Sequence, residues 1–273
     1  MKIKYLGTAA YEGVPALFCN CRVCKAAKER GGRNLRSRSQ ALVNDELLID
    51  FNADTVWHYQ KHGFDWENIC GCLITHAHYD HLYADDIEMA AQGYTHAHRA
   101  LHFYAAEAGY NKIKEAADKT EGGAVVTLIK AGERFSVADK YSVLPLWANH
   151  DQSASPVIYS ITCGNKRLLY AHDTGVFPEQ TWALLKREGH FDLISLDCTG
   201  CLALGGDWVD GHMSFGTNLK TAERMKKEGL IDGNTAIVLN HFSHNGGQTY
   251  EEMLEVAKKQ NLIVAYDGLE ISF

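Results

Sequence analysis

The chain has 273 residues, of which 46% are apolar and 22% are charged, and its formal net charge is −7. This length can bury a sizeable core, and the composition is ordinary for a globular protein. No apolar run reaches the length of a membrane span and residues 1–5 carry no signal pattern, so we expect a cytoplasmic protein with few structural disulfides. The acidic balance disfavours binding of bulk nucleic acid but leaves open a local pocket for one small phosphorylated substrate.

Apolar runs and alternating patterns predict many short strands with helices between them. The predicted strands are Lys2–Leu6, Ala41–Val43, Leu47–Asp50, Cys72–Thr75, Val125–Ile129, Tyr141–Trp147, Val157–Cys163, Arg167–Ala171, Leu193–Asp197, Ala236–Asn240, Leu262–Ala265 and Glu270–Phe273. The predicted helices are Cys21–Arg30, Ala53–His62, Ala84–Ala91, Glu179–Glu188, Asn218–Glu228 and Tyr250–Gln260. Because no repeat or linker interrupts the pattern, we expect residues 1–273 to form one α/β domain, with helices outside two packed sheets.

The segment Asp85–Gly123 is rich in aromatic residues, and we expect it to be helical and to overhang the site described next. It carries a histidine group formed by His96, His98 and His102. Because this H-x-H is not followed by D-H, a surface helix or loop is the favoured interpretation. Contact with a substrate from an overhanging loop is the alternative.

The main chemical signal is Thr75-His76-Ala77-His78-Tyr79-Asp80-His81, directly after a predicted strand. It places four metal-competent side chains within six residues, two pointing to each of two neighbouring positions. One loop supplies too few ligands, so partners must come from other strand ends. The candidates at such ends are His150, Asp173 and His241. A group of surface histidines near a turn is a poor alternative for the motif, but it stays open for each of these three residues taken singly.

A second cluster, C-x-C-x-x-C, consists of Cys19, Cys21 and Cys24. Three thiolates within six residues can supply three ligands of a tetrahedral zinc ion, which needs a fourth. His244, three residues beyond His241, is available for that position. Three buried or reactive free thiols are the alternative interpretation.

The H-x-H-x-D-H run resembles the signature of the metallo-β-lactamase superfamily, and later elements follow in the expected order. These elements are Asn149-His150, His172-Asp173-Thr174-Gly175 and Asn240-His241. The resemblance implies a four-layer αββα sandwich, the metallo-β-lactamase fold, with the site on one edge between the sheets. It assigns one metal to His76, His78 and His150, the other to Asp80, His81 and His241, and a bridging position to Asp173.

Other elements resemble the cyclic phosphodiesterases of the carbon–phosphorus lyase pathway within that superfamily. They are Gly7-Thr8-Ala9-Ala10, Gly13-Val14-Pro15, the cysteine cluster and Gly211-His212-Met213-Ser214-Phe215. This resemblance implies hydrolysis of a ribosyl 1,2-cyclic phosphate and of 2′,3′-cyclic nucleotides, and a homodimer. It also implies manganese at the catalytic pair, and a structural zinc held by the three cysteines and His244. The nitrogen and oxygen ligands of the catalytic pair also accept zinc or iron.

The expected mechanism is hydrolysis by a water that bridges two divalent ions near Asp173. His212 is the candidate general acid for the leaving oxygen, while binding a phosphate oxygen or capping a helix are its alternative roles. Asp197 is expected to orient a ligand histidine. Three alternative functions remain: an RNA-processing nuclease of the same superfamily, a thiolester or lactam hydrolase, and a non-catalytic metal-binding protein.

Overall fold

The structure, a computed structural model, describes residues 1–96, 99–206 and 208–273. In this part of the chain there are fourteen strands: Lys2–Gly7 (β1), Gln40–Val43 (β2), Leu47–Ile49 (β3), Gly71–Leu73 (β4), Leu101–Ala105 (β5), Ala124–Leu128 (β6), Phe135–Val137 (β7), Tyr141–Trp147 (β8), Val157–Cys163 (β9), Lys166–Ala171 (β10), Leu193–Asp197 (β11), Ala236–Asn240 (β12), Ile263–Val264 (β13) and Glu270–Ser272 (β14). The α-helices are Arg22–Arg30 (α1), Thr55–His62 (α2), Glu107–Ala117 (α3), Glu179–Glu188 (α4), Phe215–Lys227 (α5) and Tyr250–Lys258 (α6).

The described strands form two seven-stranded sheets that pack face to face. The first has the order β14-β1-β2-β3-β4-β5-β6 and the second the order β13-β12-β11-β10-β9-β8-β7. Side chains such as Tyr5, Val43, Val143 and Tyr159 fill the space between the sheets and are fully buried. Helix α3 covers the outer face of the first sheet, and α4, α5 and α6 cover the second. The predicted αββα sandwich is therefore confirmed.

Several strand ends meet at one edge of this sandwich. Strand β3 is parallel to β4, and β10, β11 and β12 are parallel to one another. Strand β8 runs in the same direction as β10, because both are antiparallel to β9. At this edge the backbone turns sharply after three strands, with positive φ at Asp50 (69°), Asp173 (50°) and His241 (62°). Such strained backbone is typical of residues that a functional site holds in place.

The prediction for Asp85–Gly123 is wrong in two respects. The segment contributes strand β5, parallel to β4, as well as helix α3. Among its described residues, none lines the cavity at the strand-end edge. His102 lies on β5, where its Nε2 is 2.7 Å from Thr127 Oγ1 and its ring stacks on Tyr104. His96 lines a separate groove, and His98 lies outside the described residues.

Smaller differences concern the ends of the elements. Helix α1 begins at Arg22, because the Cys21 side chain caps it by accepting a hydrogen bond from the Cys24 amide. Helix α5 begins three residues before the predicted start, because Ser214 caps it. Strand β7 was not predicted. Among the described residues, no helix combines the length and hydrophobicity needed to cross a membrane.

Candidate metal centre

The first group of histidines brings three ring nitrogens together at the strand-end edge. His78 Nδ1 lies 3.0 Å from His76 Nε2 and 3.2 Å from His150 Nε2. Two nitrogens that share a tetrahedral zinc ion lie about 3.3 Å apart, given metal–nitrogen distances near 2.0–2.1 Å. The spacing therefore fits three ligands of one divalent ion.

The other nitrogen of each ring also has a partner, so the lone pair facing the group is free to bind a metal. A histidine that donates from one nitrogen presents the other as a ligand. The partners are Thr75 Oγ1, 3.1 Å from His76 Nδ1; Asp151 Oδ2, 3.2 Å from His78 Nε2; and the Gly211 carbonyl, 2.9 Å from His150 Nδ1.

The second group consists of Asp80, His81, Asp173 and His241, all buried. The Nε2 atoms of His81 and His241 lie 3.2 Å apart. Asp173 Oδ2 is 2.5 Å from His81 Nε2 and 3.2 Å from His241 Nε2. The same oxygen is 3.5 Å from His76 Nε2 of the first group. The structure thus places Asp173 between the two groups, where the resemblance predicted a bridging residue.

Asp50 is an important residue of this centre that the sequence analysis missed. Its Oδ2 accepts a hydrogen bond from His81 Nδ1 at 2.7 Å, and both residues are 0% exposed. Its Oδ1 accepts 2.8 Å hydrogen bonds from the amide and the hydroxyl of Thr75. The signal in the sequence was an acidic residue at the end of an apolar strand.

Buried charges dominate the electrostatics of the second group. Burial opposes the charged form of His81, but Asp50 and the neighbouring carboxylates raise its pKa well above the ordinary value. Burial likewise opposes ionisation of Asp80, but His81 lowers the pKa of that carboxyl. Burial also opposes the charged form of His241, but the Asp173 carboxylate outweighs the effect of burial and raises the pKa of His241 to about 10. Buried carboxylates of this kind need a positive partner, and bound divalent ions would supply it.

His212 lies beside this centre and contacts two carboxylates. Its Nδ1 is 3.1 Å from Asp173 Oδ1 and 3.1 Å from Asp197 Oδ2. Burial opposes the charged imidazole, but Asp197 raises the pKa of His212 above its ordinary value. Helix capping, one alternative considered for His212, is performed by Ser214 instead.

Asp197 contacts His212 more closely than it contacts the ligand histidine His241. The hydroxyl of Thr199 lies 2.8 Å from His241 Nδ1, whereas the nearest oxygen of Asp197 is 3.5 Å away. Asp197 instead accepts hydrogen bonds from the amides of Thr199 and Met213. Thr199 was not singled out in the sequence, because its role depends on contact with a strand end 42 residues away.

The cysteine cluster and His244 also come together. His244 Nδ1 is 3.6 Å from Cys19 Sγ and 3.5 Å from Cys21 Sγ. Ligand atoms of a tetrahedral zinc ion bound by sulfur and nitrogen lie about 3.6 Å apart. Burial opposes the thiolate of Cys21, but the Cys24 amide and His244 lower its pKa to about 6, which favours metal binding. Burial raises the pKa of Cys24 to about 11, so binding there would displace a proton.

A cavity of about 570 Å³ opens over the metal centre. His78, His150, Asp173, His212 and His241 contribute to its lining. A family profile described as "Beta-lactamase superfamily domain" matches residues 48–232, which include the H-x-H-x-D-H loop and the bridging Asp173. The chain belongs to the β-lactamase superfamily. The prediction of a metal-dependent hydrolase of this superfamily is confirmed.

Three solved structures share the whole fold of the chain. Zn²⁺-bound PqqB from Methylobacterium extorquens is 20% identical, with 100% of both chains covered and a TM-score of 0.77. A diphosphatase from the PhnP family is 20% identical, with 100% of this chain and 97% of that chain covered and a TM-score of 0.74. YhfI from Bacillus subtilis is 16% identical, with 99% of each covered and a TM-score of 0.70. At these identities the likeness shows the fold alone.

One curated relative matches a shorter stretch of the chain. An octanoyltransferase of Porphyromonas gingivalis is 29% identical over 119 residues, which cover 42% of this chain. The chain spans only 22% of the length of that protein. The similarity therefore concerns a part of the relative, and its transferase activity is not assigned to this chain.

Proposed function

We propose that this superfamily member is a dinuclear metal-dependent phosphodiesterase that opens a cyclic phosphate or a similar small phosphodiester. The candidate substrates are a ribosyl 1,2-cyclic phosphate and a 2′,3′-cyclic nucleotide. The observation that carries the proposal is His212, an imidazole that lines the cavity beside the two ligand groups, with Nδ1 3.1 Å from both Asp173 and Asp197. A phosphodiester with a poor leaving group needs such an acid, in addition to metal ions.

In this proposal, His76, His78 and His150 hold one divalent ion and Asp80, His81 and His241 hold the other, with Asp173 between them. Bound divalent ions supply Lewis acidity at phosphoryl oxygens and lower the pKa of a coordinated water. We favour manganese in this pair, and the donor set also suits zinc or iron.

His212 protonates the leaving oxygen. The carboxylates of Asp173 and Asp197 contact Nδ1, which leaves Nε2 to face the substrate. When a water oxygen bonds to phosphorus and the bond between phosphorus and the ribose oxygen breaks, Nε2 gives its proton to the ribose oxygen, so that an alcohol and not an alkoxide departs. Asp197 is a positioning residue, because it stabilises the charged imidazole without reaching the reacting atoms.

We also propose that Cys19, Cys21, Cys24 and His244 hold a structural zinc ion. This ion would join the loop before α1 to the loop after β12, which carries the catalytic ligand His241. Zinc binding in comparable small sites contributes roughly 10–16 kcal/mol in peptides at neutral pH. The position of His241 would therefore depend in part on the cysteine cluster.

The test combines elemental analysis with a panel of substrates. We expect three metal ions per chain and faster turnover of cyclic phosphates than of linear phosphodiesters. Precursor tRNA, a β-lactam and a thiolester are included in the panel as substrates of the alternative functions. Faster cleavage of any of these three would replace the proposal. A metal-loaded protein that cleaves none of the activated phosphodiesters would exclude it.

A further inference from the structure

Aromatic rings are concentrated at the cavity over the metal centre. Among the described residues, seven aromatic side chains are strongly exposed, and three of them line this one cavity. They are Tyr11, Tyr79 and Trp208, which are 57%, 61% and 48% exposed. Exposed rings grouped around one cavity are typical of a site that buries a planar apolar group of a ligand.

Hydrogen bonds and nearby cations hold the segments that carry Tyr79 and Tyr11 in position. The ammonium of Lys112 lies 4.9 Å from the centre of the Tyr79 ring and donates to the Ala77 carbonyl. Arg38 lies 5.8 Å from the Tyr11 ring and donates to the Tyr11 carbonyl. A ligand that stacks on rings already held in place loses less entropy on binding.

The indole of Trp208 is anchored in a similar way. Its Nε1 donates to the Asp210 carbonyl at 2.8 Å, while its own carbonyl accepts from Thr217 of helix α5 at 2.9 Å. The indole therefore has a fixed hydrogen bond at its edge and a face left for stacking. Thr217 is buried, which ties this wall of the cavity to the rigid sandwich.

The described residues that line the cavity include no lysine or arginine that could bind a second phosphate. Apart from the ligand groups and His212, the charged side chain among the described lining residues is the Glu12 carboxylate. A carboxylate repels a second phosphate, since unpaired like charges oppose binding.

Ser243 and His244, in the loop that carries the fourth ligand of the cysteine cluster, hold the Glu12 side chain in position. Its Oε1 accepts a hydrogen bond from Ser243 Oγ and lies 3.4 Å from His244 Nε2. Both of these contacts use Oε1, so Oε2 is available to accept from an N–H group of a ligand. An amino group on a planar ring is the donor that such a carboxylate recognises.

We infer that this cavity has a subsite for a planar, uncharged heteroaromatic group with an N–H donor, of the nucleobase class. The group stacks between the aromatic side chains beside the reacting phosphodiester. The inference rests on the proposed function and selects, between its two candidate substrates, the cyclic nucleotide. A ribosyl cyclic phosphate that carries a second phosphate is disfavoured by Glu12.

The experiment compares three probes on metal-loaded protein: 2′,3′-cyclic AMP, ribosyl 1,2-cyclic phosphate, and the same compound with a phosphate on carbon 5. We expect kcat/KM for the nucleotide to exceed both others by about tenfold, within the contribution of one base–aromatic stack. Trp208→Leu removes this advantage. Trp57→Leu is the matched control, because Trp57 is 54% exposed but lies on α2 and does not line the cavity. Glu12→Gln raises kcat/KM for the compound with the second phosphate.

Equal turnover of the three probes, or equal effects of the two tryptophan variants, would exclude the subsite and leave the phosphodiesterase proposal intact. If the parent cleaves no cyclic phosphate, calorimetric binding decides instead. Adenosine 2′-monophosphate should then bind about tenfold more tightly than ribose 5-phosphate, and Trp208→Leu should remove the difference. Equal binding of these two compounds would overturn the inference.

Discussion

Asp50→Asn tests whether the buried network around His81 prepares it to bind a metal. The asparagine Oδ1 can still accept the two hydrogen bonds from Thr75. Its amide nitrogen then faces His81 Nδ1, where the carboxylate accepted a hydrogen bond at 2.7 Å. Two donors cannot pair, so the imidazole moves its proton to Nε2, and that nitrogen no longer has a lone pair for the metal.

The magnitude follows from the one bond that is lost. A buried hydrogen bond to a charged group contributes about 1.5–3 kcal/mol, and tenfold in affinity corresponds to about 1.4 kcal/mol. We therefore expect the second metal to bind about 10- to 100-fold more weakly, which agrees with the usual effect of changing the outer partner of a ligand histidine. The folded state should persist, because the side chains have nearly the same shape.

Asp151→Asn is the matched control. Asp151 contacts His78 as Asp50 contacts His81, but the side chain of Asp151 is 49% exposed. Water can replace the lost contact there, so we expect less than about a threefold change in metal affinity. Metal affinity is measured by competition with a chelator, and folding by circular dichroism. Metal binding by a folded Asp50→Asn variant at parental affinity, or equal losses in both variants, would refute the reasoning.

Four further predictions follow from the same geometry. His212→Ala should keep its metals but lose about 10²–10⁴-fold in turnover of substrates with poor leaving groups, and much less with p-nitrophenyl esters. Cys21→Ser should lose one zinc per chain and melt at a lower temperature. Cys163 is a half-buried cysteine outside the cluster, so Cys163→Ser should keep the zinc. Dialysis against a strong chelator should abolish turnover, and added manganese or zinc should restore it. Gly175→Ala should lower turnover with little loss of metal, because its Cβ would lie 2.1 Å from the Val209 carbonyl and displace the segment that leads to His212.

Each of these expectations has a clear contrary result. Equal turnover of His212→Ala and the parent on poor leaving groups would remove His212 from the mechanism. An unchanged zinc content in Cys21→Ser would exclude the cysteine site, and turnover that survives complete metal removal would exclude metal catalysis. Parental turnover and stability in Gly175→Ala would show that the segment near Val209 can shift without effect on the site.

Much of the site is local in the sequence and was therefore predictable. His76, His78, Asp80 and His81 lie in one loop, and their spacing alone indicates a metal site. The cysteine cluster is local in the same way. The distant ligands could be proposed because each follows an apolar run, and a strand end is where a sheet scaffold holds a ligand rigidly.

The partners that orient the ligands came only from the tertiary structure. Asp50 and His81 are 31 residues apart, and Glu12 and Ser243 are 231 residues apart. No local pattern indicates such pairs, because sheet order and strand direction decide which loops meet. Strand β5 was missed for the same reason: its pairing with β4 across a long connection determines its conformation more than its own pattern does.

The sequence by itself determined which side chains could bind a metal and where most of the strands lie, since ligand chemistry and apolar periodicity are properties of nearby residues. The tertiary structure decided which nitrogen of each histidine faces the other ligand groups, what surrounds the cavity, and that its described lining residues include no lysine or arginine. These features depend on contacts between strand ends far apart in the chain, and packing of the two sheets is what creates those contacts.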